Sequence, residues 1–328
     1  MSNPTVLCLG EILFDLIADD AGLPVEQVKT WTAYPGGAPA NVATALQKLG
    51  TPAGFIGCVG SDERGEELVQ LLQSTGVDTQ GIQRHETAPT RQVYVTRTQT
   101  GDREFAGFGD RATTEFADTH LQADQLPASL FEDADFLVLG TLELAYPDTR
   151  AAIERALSLA EDYTLKIVVD VNWRRMFWPN LNEAQPLIRR LIERVDFLKL
   201  SEEEADWLFH TTAPQAISYQ LSDLEGVLVT AGTKGCAYYL SENAGRSPAF
   251  SVTTEDTTGA GDAFLAGFLH QLCQRGIQGL GKPSIAREIV TYANAVGSMT
   301  TLRPGAIASQ PTAAEVDAFL YLQSPNRF

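Results

Sequence analysis

From residue 136 onward the sequence alternates short, largely apolar runs with longer stretches whose apolar residues recur at helical spacing, and this rhythm narrows the fold more than any other feature. The runs at 136–139, 166–171, 197–200 and 226–230 read as strands buried on both faces, and 237–240 as one more. Residues 148–161, 183–194, 202–209, 260–274, 284–301 and 312–322 read as helices. The N-terminal part keeps the same beat. Val6-Leu7-Cys8-Leu9 is a first buried strand, and Val42, Ala45, Leu46 and Leu49 mark a helix over 41–49 that Gly50 stops. A strand at 53–59 ends at Gly60, and a helix at 62–74 closes at Gly76. Strands alternating with helices imply an α/β fold with a mostly parallel central sheet and helices on both faces. Ligands on such sheets bind beyond the carboxyl ends of the strands.

One region departs from the rhythm. Residues 91–97 alternate polar and apolar, Gly101-Asp102 reads as a turn, and Arg103-Glu104-Phe105 follows, which together predict a half-exposed hairpin. Trp31-Thr32-Ala33-Tyr34 reads as another exposed strand. These pieces predict a small flap of strands outside the main core.

Composition excludes several functional classes. A formal net charge of −18 over 328 residues argues against nucleic acid and anionic membrane as partners, because both repel a negative surface. The four cysteines form no CxxC pair and the four histidines no HxxxH pair, so neither a zinc site nor a redox motif is expected, and a reduced cytoplasm fits best. The apolar stretch near the N-terminus is broken by Glu11 and Asp15, unlike a signal peptide, and no run approaches the ~20 apolar residues of a membrane helix.

The segment Glu255-Asp256-Thr257-Thr258-Gly259-Ala260-Gly261-Asp262 carries the most chemistry. Thr257 or Thr258 can cap the helix that follows, and the two glycines let another molecule approach the backbone. The first N–H groups of that helix point outward with the positive dipole end behind them, a geometry suited to a phosphoryl group. Asp262 falls in the first turn, where the dipole favours its ionised form and where it can take a proton from an attacking hydroxyl. A capped turn with a solvated aspartate fits the same residues. Phe264 stands where a dinucleotide-binding GxGxxG needs its third glycine, so a nicotinamide dehydrogenase fits poorly. Gly276-Ile277-Gln278-Gly279-Leu280-Gly281-Lys282 imitates a P-loop, but Pro283 occupies the Ser/Thr position and the segment follows a helix, so it reads as an interhelical loop.

Asp256-Thr257-Thr258-Gly259-Ala260-Gly261-Asp262 resembles a signature of the ribokinase-like (PfkB-type) carbohydrate kinases, and Tyr34-Pro35-Gly36-Gly37-Ala38-Pro39-Ala40-Asn41-Val42-Ala43 resembles their second, N-terminal signature. The likeness runs over nearly the whole chain and is strongest to fructokinases. It implies a single ribokinase-like domain over 1–328, with lid strands inserted at about 14–35 and 90–112. It implies Asp262 as catalytic base, and the amides of Gly259, Ala260 and Gly261 as an anion hole. Asp15, helped by Gly36, Gly37 and Asn41, would bind sugar hydroxyls, and a neutral polyol does want carboxylate and amide partners.

Further segments extend the resemblance. In Asp170-Val171-Asn172-Trp173-Arg174, Arg174 would face the transferring phosphate with Asn172 beside it. Lys199-Leu200-Ser201-Glu202-Glu203-Glu204 follows a strand; relatives carry Asn-x-x-Glu here, and this chain has Ser201 in place of the Asn. The resemblance puts Lys199 and Glu204 on the cofactor side, Glu204 organising the waters of magnesium. Thr230, Gly232 and Gly235 resemble the nucleotide loop, and Asn294 the adenine-side helix. Phe105 and Arg111 would close over the sugar from a lid that relatives also use as a dimer contact, so a homodimer through the lid is implied. A potassium ion near Asp256 and Thr258 is implied as well.

The expected activity is phosphoryl transfer from MgATP to the primary alcohol of a free sugar, D-fructose first. Ribose and 2-keto-3-deoxygluconate are alternatives on the same scaffold. A catalytically silent regulatory relative would have lost Asp262 or its glycines, and this chain keeps them.

Overall fold

The computed structural model describes residues 3–99, 103–221 and 224–323. The main sheet has nine strands. β1 (Val6–Leu9) lies inside it, with β4 (Ala53–Gly60) and β5 (Asp78–His85) on one side. On the other side follow β8 (Phe136–Leu139), β9 (Lys166–Asp170), β10 (Phe197–Ser201) and β11 (Gly226–Thr230). These strands run parallel; β12 (Cys236–Leu240) and β13 (Asn243–Ser247) add an antiparallel edge. The strand order reverses at β1, so the crevice beyond the ends of β1 and β8 is the topological switch point.

Period-two alternation divides each strand between two cores. Val6, Cys8, Phe136, Val138, Val168, Phe197 and Leu228 face one, whose helices are α1 (Ala38–Leu49), α2 (Glu63–Ser74), α7 (Ala260–Arg275), α8 (Pro283–Thr300) and α9 (Ala313–Gln323). Leu7, Leu9, Leu137, Leu139, Val169, Leu198 and Val229 face the other, under α3 (Pro147–Asp162), α4 (Leu181–Ile192), α5 (Glu202–Phe209) and α6 (Pro214–Ser218). The same alternation sends Asp170 and Lys199, register partners at the ends of β9 and β10, to the α7 side.

A second sheet has four strands in the order β3 (Trp31–Gly36), β2 (Leu13–Ala21), β6 (Gln92–Arg97), β7 (Arg103–Gly107). β6 and β7 pair antiparallel, as the alternating pattern predicts; the Gly101-Asp102 turn lies outside the described residues. Arg91 fastens this sheet to the body. Fully buried, it bonds Asp118 through Nε and Nη2 at 2.6 and 2.9 Å and lies against Phe108, Phe116, Tyr146 and Phe177. The P-loop imitation is a 3₁₀ turn, Ile277–Gly281, between α7 and α8.

Strands β5 and β13 were absent from the sequence reading. β13 reads Asn-Ala-Gly-Arg-Ser and β5 is largely half-exposed, so neither has the apolar pattern of a buried strand. Backbone pairing at the sheet's edges holds them instead.

Candidate active site

α7 begins at the crevice. Its N-cap is Gly259, in the left-handed conformation with φ 76°, and no side chain caps it. This corrects the expected threonine cap: Thr258 Oγ1 and N–H both donate to Asp256 Oδ1, at 2.7 and 3.0 Å, and Gly305 N–H donates to the other Asp256 oxygen at 2.8 Å. Asp256 shapes the loop, and only glycine fits the cap, where a Cβ would stand 2.7 Å from that of Ala306. Ala260 N–H makes a long 3.3 Å bond to Thr257 O, and Gly261 is exposed, so the first-turn amides open onto the crevice.

Asp262 sits half-buried in that turn, with Oδ2 accepting from Asn41 Nδ2 at 2.8 Å. Its carboxyl is pushed up to about 6, first by burial and then by the charge of Asp170; the Asn41 bond, Lys199 and Arg174 pull the other way. The helix dipole was expected to favour ionisation, and desolvation outweighs it. Asn41 Oδ1 is buried and has no partner among the described residues.

Beneath them Lys199 Nζ donates to Asp170 Oδ2 at 2.6 Å, both side chains 7% exposed. Burial opposes the lysine's charge, but Asp170 more than offsets it and the pKa is raised. Nζ lies 3.3 Å from where a Cβ on Gly261 would be, directly under the α7 N-terminus. Ser201 caps α5 in a reciprocal capping box with Glu204, its side chain accepting from Glu204 N–H at 3.1 Å. Glu204 Oε2 accepts from Ser201 N–H at 2.8 Å, and Oε1 from Trp173 N–H at 2.7 Å. Ser201 thus has a structural task as the cap of α5. Asn172 turns the chain with φ 35°, and exposed Arg174 follows, close enough to influence Asp262.

The residues expected on the sugar side lie on or next to the small sheet. Asp15 lies opposite Tyr34 in the β2–β3 register, and a Cβ on Gly36 would meet Asp15 Oδ2 at 2.9 Å. Gly37, with φ 105°, has no room for a side chain, since a Cβ would lie 2.4 Å from Glu11 O. Phe105, 39% exposed on β7, packs edge-on against Phe108, and Arg111 is exposed just beyond.

On the other flank Thr230 ends β11, and Gly232 and Gly235 turn with φ 54° and 90°. Asn294 is buried and donates through Nδ2 to Ser247 O and Pro248 O at 3.0 and 3.3 Å. Its amide ties α8 to the end of β13.

A hydrated divalent cation fits the donors present. Asp170 Oδ1 is buried with no partner among the described residues, and its charge acts on nearby Glu204. Such a cation keeps most of its waters and needs one or two carboxylates. Asp170 was quoted in the sequence motif without a role; its signal was its place at a strand end, one residue from the turn. Glu11 and Glu143, a buried carboxyl pair just beyond the ends of β1 and β8, were missed, because isolated glutamates in apolar segments have no spacing signature.

Residues 3–313 match the sequence pattern of the pfkB family carbohydrate kinase. A probable fructokinase-5 of Arabidopsis thaliana is 33% identical over 98% of this chain and 99% of its own. A fructokinase from Xylella fastidiosa, solved with bound ATP, superposes with a TM-score of 0.87 at 29% identity, covering 98% of this chain and 99% of that one. A doubly substituted fructokinase from Vibrio cholerae O395, solved with fructose, ADP and potassium ion, gives 0.82 at 28% identity, covering 98% and 100%.

Proposed function

The chain belongs to the pfkB family of carbohydrate kinases, and from that premise we propose that it transfers the terminal phosphoryl group of ATP to the primary hydroxyl of a free sugar, D-fructose first, giving fructose 6-phosphate. The observation that carries the reading is the Asn41–Asp262 contact of 2.8 Å at the open start of α7. It sets a proton acceptor beside outward-facing amides. The fructokinase names of the relatives, and the fructose in the Vibrio cholerae structure, support the choice of sugar.

Asp262 takes the hydroxyl proton as the sugar oxygen bonds to phosphorus, while the bond from phosphorus to the departing ADP oxygen breaks. Asn41 orients the carboxylate through Nδ2 and offers its free Oδ1 to a sugar hydroxyl. Asp15 and the bare backbone of Gly36 and Gly37 receive further hydroxyls. The amides of Gly259, Ala260 and Gly261, with Lys199 below and Arg174 beside, offset charge on the transferring oxygens. Magnesium, held through water by Asp170 and Glu204, would neutralise the phosphates. Closure of the small sheet, carrying Phe105 and Arg111, excludes water that would otherwise hydrolyse ATP. Thr230, Gly232 and Gly235 line the nucleotide side.

Release of ADP measured across fructose, ribose, 2-keto-3-deoxygluconate and other sugars tests the reading, and fructose is expected to give the highest kcat/KM. No release with any of them would defeat it. Asp262→Asn is expected to bind ATP normally and lose roughly 10²–10⁴-fold in kcat; near-normal turnover would refute the base. We further propose a potassium ion beside the Asp256–Thr258 loop, with faster turnover in potassium than in a bulky organic cation.

A further inference from the structure

We propose that Glu11 and Glu143 share a single proton and act together as a positioning pair that sets the sugar loop, Gly36-Gly37-Ala38, through the first amide of α1. The two side chains are 8% and 3% exposed, Glu11 just after β1 and Glu143 in the 3₁₀ turn Leu142–Ala145 that follows β8, and their carboxyls hydrogen-bond each other. Two carboxylates at that range cannot both hold charge, so one donates an O–H to the other. The donor is assigned to Glu143, because Glu11 Oε1 already accepts from Ala38 N–H at the positive end of α1, which favours the ionised form there.

Glu11 is the end with work to do. Its Oε1 accepts from Ala38 N–H, the first amide of α1, at 2.8 Å. An anion there meets the positive end of a twelve-residue helix. One residue before Ala38 stands Gly37, and one turn after it stands Asn41, which holds Asp262. The pair is therefore joined to the start of α1 by the Glu11–Ala38 bond, and the first turn of that helix carries Asn41, which bonds Asp262.

The surroundings are built around this pair. A Cβ on Gly10 would lie 2.8 Å from Glu143 Oε1 and 2.5 Å from Pro39 Cγ, so a glycine is needed where the pair passes. Glu143 Oε2 is buried and has no partner among the described residues. The charged groups facing the pair are Asp118, which raises both carboxyls, and Arg91, bound to Asp118. Burial is the largest cause for each, taking Glu11 to about 7 and Glu143 well above its usual range.

This inference rests on the sugar-kinase reading and can fail separately from it. In the full chain, Glu143→Gln keeps an N–H donor toward Glu11, and Glu143→Leu removes it. At pH 7.5, Glu143→Gln is expected to hold the sugar KM within about twofold of the parent. Glu143→Leu is expected to raise it at least about tenfold, with the ATP KM within about twofold. An equal rise in both variants would overturn the proposal, because it would mean the glutamate serves as an ionised acceptor. A Glu143→Leu chain that melts lower but keeps its sugar KM would overturn it too.

A second arm needs no activity. Glu11 titrates at about 7 in the fold against an ordinary 4.5, so the pair's cost is absent below about 4.5 and grows as pH rises through 7. The Glu11→Gln/Glu143→Gln chain should therefore gain in Tm over the parent as pH rises from 4.5 to 8. Parallel Tm curves would mean that no proton is shared. If the parent phosphorylates no sugar, the proposed function falls while this arm still decides the pair.

Discussion

In the proposed reaction Asp262 accepts a proton at neutral pH, and its surroundings set how well it can. Burial and Asp170 lift its carboxyl to about 6, close to the pH at which a base works best. The sign follows: the charged form is active, so kcat should fall about tenfold per unit as pH drops below about 6, read from a pH–rate profile. Arg174 pulls the carboxyl down. Arg174→Ala is therefore expected to move the acid limb to higher pH, and to cost on the order of 10² in kcat if Arg174 also meets the phosphoryl oxygens. A lower kcat with an unmoved limb would separate the two effects. The role of Asp170 was illegible before the fold was known, because its influence comes from register with Lys199 on the next strand.

Two helices deliver the site, and both start on glycine. α1 follows Gly37 at φ 105° and α7 follows Gly259 at φ 76°, with no side-chain cap on either. On α1 the first amide, that of Ala38, is taken by Glu11, whereas on α7 the exposed Gly261 is left facing the crevice for a ligand. Gly259→Ala meets both a left-handed backbone and the Ala306 side chain. It should destabilise by more than about 1 kcal/mol, visible as a lower Tm, while Gly50→Ala, with open space around it, should suffer from its φ alone. The interior strands and long helices were legible because burial on two faces imposes a simple apolar pattern. The small-residue face of α8 says only that something packs closely there, and what Asn294 meets in the fold is the end of β13. The cap was misjudged because threonine commonly caps, and nothing local reveals that Asp256 has claimed Thr258 first.

Across the whole molecule, the two cores on either face of the main sheet form the base, and the four-stranded sheet packs against it through Phe14, Leu16 and the buried Arg91. Ligands that bridge the two should stabilise the fold. Saturating ATP at 100 times its Kd is expected to add about 2.7 kcal/mol, seen as a raised Tm, while NAD should leave Tm unchanged. Among the described residues no helix is long and apolar enough to cross a membrane. The chain passes from base to cover directly, since β1 ends at Leu9 and β2 begins at Leu13, and it returns directly from β3 into α1. The Glu11–Ala38 bond ties the outgoing strand to the returning one at that joint. A door hung this way cannot swing without tugging its own latch: any tilt of the cover is transmitted to α1, and the arrival of a sugar can be felt at the far rim of the cover without a separate messenger.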